Sequence, residues 1–191
     1  MFLHGIGTDA EGFLLQLEAF AEAGYRAVAW DMPGYGKTAP LDQMTFVGLA
    51  QRLHQFLDDL NVPTVHLVGH SIGGMIAQQF ARTGQDRLMT MTLAQTSPAF
   101  GNSKGDFQKK FLADRLRPIQ EGKSMTDIVD EVLPGLNGKA PDCAGLSLAR
   151  KSMRYVSSDS YAASVKCLVT FEARDYLPVS YTHLRAHETL R

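Results

Sequence analysis

Cysteine is scarce in this chain. Cys143 and Cys167 are the two among 191 residues, too few for a disulfide framework, so a reduced, cytosolic protein is expected. Excess charge is absent: 19 Lys and Arg against 20 Asp and Glu leave a net charge of −1. That balance excludes a basic nucleic-acid surface or an acidic tail as the main device. No apolar run approaches the ~20 residues that cross a bilayer, so no membrane partner is expected. The opening Met-Phe-Leu-His-Gly has no basic stretch ahead of a long apolar one, and no signal peptide is expected. Internal repeats and low-complexity segments are also missing. No His/Cys/Asp cluster has metal-ligand spacing, so neither a metal nor another cofactor is implied. What remains is an ordinary globular composition, 45% hydrophobic, with length for one domain or slightly more.

The first half alternates two periods. Arg26 to Trp30, Thr64 to Val68 and Leu88 to Ala94 read as strands, and Phe2-Leu3-His4 as a strand stub. Between them, Phe13, Leu14, Leu17, Phe20 and Ala21 follow helical spacing, with Gly24 as a stop. Phe46, Leu49, Leu53, Phe56, Leu57 and Leu60 form a second helical stripe, ended by Asn61-Val62-Pro63. Ile72, Met75, Ile76 and Phe80 form a third. Such alternation with short loops predicts an α/β fold, a parallel sheet with helices on both faces. From about Phe107 to Phe171 only helical stripes recur, which predicts a helical insertion over that core.

One stretch carries chemistry. Gly69-His70-Ser71-Ile72-Gly73 is a Gly-x-Ser-x-Gly motif directly after a strand and directly before a helix. A strained turn there lifts a serine hydroxyl above the strand end, and the helix N-terminus turns its free N–H groups toward a developing oxyanion. A serine that merely caps the helix is the plainer alternative. The strand, the helix and the additional Gly74 favour Ser71 as a nucleophile. His4-Gly5-Ile6-Gly7 follows the first strand, where a tight turn could aim the Ile6 N–H at the same oxyanion, beside the Ile72 N–H. Asp31-Met32-Pro33-Gly34-Tyr35-Gly36-Lys37-Thr38 ends like a phosphate loop. However, Asp31 stands where that loop needs glycine, and Pro33 removes a donor. A turn in which Asp31 bonds backbone groups is expected instead.

Together these elements resemble the α/β-hydrolase fold family over Met1 to about Val179. Thr96 to Gly101 and Tyr161 to Pro178 carry a narrower likeness to enol-lactone and carboxylic-ester hydrolases, in particular 3-oxoadipate enol-lactonase-like proteins. The resemblance implies a serine hydrolase acting on a small ester or lactone. Residues 1–97 would be the N-terminal part of the core and residues 98–179 a helical cap. Carbon–carbon bond hydrolases, cofactor-free haloperoxidases and acyltransferases share the serine. A non-catalytic binding protein is the rival from another class.

The family also implies an acid and then a histidine after the nucleophile, each following a further strand. The recognisable sequence stops near Val179, so both are expected to be absent and the chain to be truncated at both ends. Gln95, after the fourth strand, cannot ionise, and Asp175 is expected as a solvated carboxylate ending a cap helix. His54 is expected on the exposed side of its helix, and His70 to point away from Ser71. Ser180 to Arg191 fit neither period and resemble a translated adapter sequence, a non-native tail that contains His183 and His187. Phe107, Phe111, Met125, Met153 and Tyr161 are expected mainly as cap core. The sequence leaves the oligomeric state open.

Overall fold

The computed structural model describes residues 1–101, 105–136 and 144–176. Four strands form one parallel sheet in the order β2-β1-β3-β4: β1 Phe2–Leu3, β2 Ala29–Trp30, β3 Val65–His70 and β4 Leu88–Ala94. The Leu88 to Ala94 strand lies where its β-branched and apolar run predicts. β2 is shorter than the expected Arg26 to Trp30, because a ladder extends only as far as its partner, and β1 offers just Phe2 and Leu3. Val28 contributes a single bond, its carbonyl accepting from the Phe2 N–H at 2.8 Å.

One face of the sheet is covered by α2 (Phe46–Asp59) and α3 (Ile72–Ala81). The Thr45 hydroxyl starts α2 by accepting from the Gly48 N–H. Phe46, Leu49, Leu53 and Leu57 are buried on its inner stripe, as the period predicts. Asn61 ends it in a left-handed conformation at φ 53°. Every residue of α3 is buried. On the other face, the 3₁₀ turn Ala10–Phe13 and α1 (Leu14–Glu22) reach the sheet through Phe13 and Phe20, whose rings pack on Phe2. The expected inner stripe of α1 is largely exposed at Leu14 and Phe20. His66, Val68, Thr90 and Thr92 on this face line an open groove of about 480 Å³.

Four further helices, α4 (Asp106–Gln120), α5 (Met125–Leu136), α6 (Ala144–Tyr155) and α7 (Ser158–Leu168), face the C-terminal ends of the strands. Beyond β4, the described residues contain one isolated bridge, Ala99 with Glu172, and no strand. Three serines fasten α6 and α7 to the loops after β1 and β2. Ser152 donates to the Asp9 carboxylate at 2.6 Å, Ser160 to the Gly34 carbonyl at 2.5 Å, and Ser164 meets the Tyr35 hydroxyl at 2.8 Å. A buried hydroxyl needs a partner, so each contact also fixes register between helix and loop.

Several expectations are corrected. His54 is half-buried rather than exposed: its ring stacks on Phe80 at 4.2 Å and its Nε2 meets the Thr83 hydroxyl at 3.1 Å. Asp175 lies in a turn after α7, not at a helix end, and pairs with Arg82 at 3.1 Å. Phe107 is 67% exposed and not core: it sits in the first turn of α4, its ring near those of Phe100 and Phe111. Cys143, the Leu177-Pro178 segment and the Ser180 to Arg191 tail lie outside the described residues. No described helix is long and apolar enough to cross a membrane.

Candidate active site

Ser71 joins β3 to α3 with φ 55° and ψ −121°, a conformation that costs a non-glycine residue about 1–3 kcal/mol. The surroundings over-determine it. Its N–H donates to the Ala94 carbonyl at 3.0 Å, and its carbonyl accepts from the Gly74 N–H and, at 2.7 Å, from the Thr96 hydroxyl. The glycines are steric requirements. A Cβ on Gly69 would lie 2.5 Å from the Gly73 carbonyl oxygen, and one on Gly73 would lie 2.2 Å from the Leu3 carbonyl oxygen. The helix therefore presses both on its own strand and on the neighbouring β1.

Ser71 lines a cavity of about 380 Å³ between the strand ends and α4–α7. Gly5, Ile6, His70 and Gln95 line it from the sheet side. Phe111, Met153 and Tyr161 line it from the helices and also pack in the hydrophobic clusters expected of them, as Met125 does away from the cavity. The sheet groove of about 480 Å³ and a cleft of about 630 Å³ beside α4 are larger, but neither reaches Ser71. Ile72 is fully buried and is not among the residues that line the cavity.

His4 organises the turn after β1. Its Nε2 accepts from the Met32 N–H at 3.2 Å, so the ring proton sits on Nδ1, which donates to the Gly5 carbonyl at 2.8 Å. Burial pushes its pKa below the usual histidine value, which keeps the ring neutral. The Thr8 N–H also donates to that Gly5 carbonyl, at 3.2 Å. A trans peptide is planar, so the Ile6 N–H points opposite to the Gly5 carbonyl, away from buried His4. Among the described residues neither the Ile6 nor the Ile72 N–H has a protein acceptor. Asp31 bonds backbone as expected, accepting from the Ala10 N–H at 2.7 Å.

The Ser71 hydroxyl has no hydrogen-bond partner among the described residues. His70 turns to Gln95, its Nε2 lying 2.9 Å from the amide oxygen, and its Nδ1 faces Gly5. His66 meets the Thr90 hydroxyl on the open sheet face. His183 and His187 lie outside the described residues. Sequence reasoning missed the His70–Gln95 pair, the Tyr35 contacts and Arg115, a cavity-lining residue of α4. Only the tyrosine within the glycine-rich turn after β2 offered a signal.

The profile of the alpha/beta hydrolase fold family matches residues 1–125. A 2-hydroxy-6-oxononadienedioate/2-hydroxy-6-oxononatrienedioate hydrolase of Paraburkholderia phymatum is 38% identical over 101 residues, which is 49% of this chain and 34% of that protein. An esterase from Exiguobacterium antarcticum superposes with a TM-score of 0.76 at 23% identity, covering 94% of this chain and 68% of that one. The enol-lactonase from Burkholderia xenovorans LB400 gives 0.70 at 20% identity, covering 91% and 66%. At such identities these two solved structures speak for the fold alone. Against curated relatives the chain spans a smaller part, for example 25% of an acetyltransferase component from Cupriavidus necator.

Proposed function

The chain belongs to the alpha/beta hydrolase fold family, and from that premise we propose that it carries the nucleophile of a serine hydrolase acting on a small carboxylic ester or lactone. The observation that carries this reading is the strained, non-glycine Ser71, held at φ 55° in an apolar cavity that Ile6 also lines. Ser71 Oγ attacks the substrate carbonyl, and the resulting oxyanion lies on the Ile6 and Ile72 N–H groups. Each such donor is worth roughly 10²–10³ in kcat. The alkoxide leaves with the serine proton, and water then cleaves the acyl–serine ester by the same route.

In this reading the histidine base and its acid come from outside the described residues. Residues 1–97 supply the nucleophile and residues 98–179 form a cap that shapes the substrate site. The setting is a reduced cytoplasm, where the Cys167 thiol, pushed up to about 12 by burial, stays unreactive. A fluorophosphonate should label the full-length protein on the peptide bearing Ser71, and Ser71→Ala should remove the label. Labelling at another serine would overturn the assignment.

Arg115 carries the one formal charge among the described cavity-lining residues. Ester substrates bearing a carboxylate should therefore be preferred. Arg115→Met is expected to lower kcat/KM for a succinate monoester about tenfold, the worth of roughly 1.4 kcal/mol, and to leave a butyrate ester unchanged. Equal losses for both esters would reject the role.

A second reading is favoured by the relative at 38% identity, named for hydrolysis of a 2-hydroxy-6-oxo acid. The same serine would then cleave a carbon–carbon bond. Turnover of such an acid without ester turnover would select it.

A further inference from the structure

We propose that Tyr35 is a positioning residue of the oxyanion turn, fixing the Ile6–Gly7 peptide through its hydroxyl and coupling that turn to α7. The inference rests on the roles given above to Ser71 and Ile6.

Tyr35 sits in the turn after β2 and is 1% exposed. Its own backbone is closed on both sides, its N–H donating to the Met32 carbonyl and its carbonyl accepting from the Thr38 N–H, both at 2.9 Å. The phenol thus extends from a rigid base. It lies 2.9 Å from the Ile6 carbonyl oxygen and 2.8 Å from the Ser164 hydroxyl. A carbonyl only accepts, so the single phenolic proton goes to Ile6, and Ser164 donates to the phenol oxygen. The His4 ring packs beside the Tyr35 ring at 4.8 Å.

Two aromatic side chains thereby hold two consecutive carbonyls, His4 that of Gly5 and Tyr35 that of Ile6. Fixing both peptide planes around one residue fixes its φ and ψ. The Ile6 N–H then has one direction open to it. This matters because Gly5 and Gly7 flank Ile6, and glycine resists rotation less than any other residue. Without the phenol hydroxyl, the half-buried Ile6 carbonyl would lose its partner and the peptide would be free to turn toward another donor.

Ser164 lies on α7, whose Tyr161, Val165 and Leu168 line the cavity. One phenol oxygen therefore joins the helix that contacts substrate to the turn that receives the oxyanion. A shift of α7 on substrate binding would be felt at Ile6 through two hydrogen bonds.

Tyr35→Phe in the full-length protein removes the hydroxyl and little else. Deleting an oxyanion donor costs roughly 10²–10³ in kcat, and loosening one should cost about tenfold. The expected result is a kcat about tenfold lower with KM changed less than twofold, and faster amide hydrogen exchange at Thr8, whose N–H closes the turn on the Gly5 carbonyl. Ser164→Ala keeps the bond to Ile6 and should lower kcat by less than Tyr35→Phe does. A lowered melting temperature with kcat, KM and Thr8 exchange unchanged would overturn the proposal. So would an equal loss in both variants. If Ser71→Ala left activity intact, the assignment of Ser71 would fail, and exchange at Thr8 would still decide whether Tyr35 holds the turn.

Discussion

Purified as the 191-residue chain, the protein is expected to hydrolyse p-nitrophenyl acetate no faster than its Ser71→Ala variant. A serine hydroxyl at pH 7 is a poor nucleophile without a base to take its proton. Each described histidine is committed elsewhere. His4 is buried and bonded at both nitrogens, His54 meets Thr83, His66 meets Thr90, and His70 meets Gln95. Losing the base of a comparable relay costs about 10⁶ in kcat. The proposed oxyanion donors and the cavity would leave roughly 10³–10⁴ over water, a remainder that Ser71→Ala also keeps. Turnover of about 1 per second or more, typical of an enzyme, would mean that a base is present. His70, His183 and His187 would then be the residues to mutate. Restored activity in a longer version of the protein would support a base supplied from beyond the described residues.

Gly73→Ala is expected to be among the most damaging single-methyl additions in the chain. The added carbon would lie 2.2 Å from the Leu3 carbonyl oxygen, 2.6 Å from its carbon and 2.7 Å from the His4 carbonyl oxygen. All three are backbone atoms of β1 and its exit, so no side-chain rotation relieves them. Either α3 lifts from the sheet or β1 moves, and β1 is the strand that joins β2 to β3. Overpacking a tight site usually costs about 1–3 kcal/mol, and a backbone collision belongs at or above the top of that range. For a chain of this size, 3 kcal/mol lowers the melting temperature by roughly 6–12 °C. Gly24→Ala is the control. Its φ is 86° with nothing within 4 Å, so it carries only the backbone strain of about 1 kcal/mol. Equal melting temperatures for the two variants would reject the steric argument.

Gly73→Ala and Ser71→Ala probe different links. Gly73 governs whether the turn forms, whereas Ser71 tests the reaction proposed for the formed turn. A folded Ser71→Ala chain with an unchanged melting temperature would separate them.

Sequence alone settles the features that repeat along the chain or depend on a missing side chain. The stripe of α2 is visible because a helix returns the same face every 3.6 residues, and the turn at Ser71 because Gly69 and Gly73 stand where a Cβ would collide. Tertiary structure decides what has no period. The Asp9–Ser152, Gly34–Ser160 and Tyr35–Ser164 contacts join residues 143, 126 and 129 positions apart. A serine on a helix looks the same in sequence whether it meets water or a buried carbonyl. The length of β2, the pairing of Asp175 with Arg82 and the turning of His70 to Gln95 likewise depend on what lies opposite in space. Local geometry is written in neighbouring residues, but a hydrogen bond across the fold requires two groups to arrive within about 3 Å, and only packing of the whole chain brings them there.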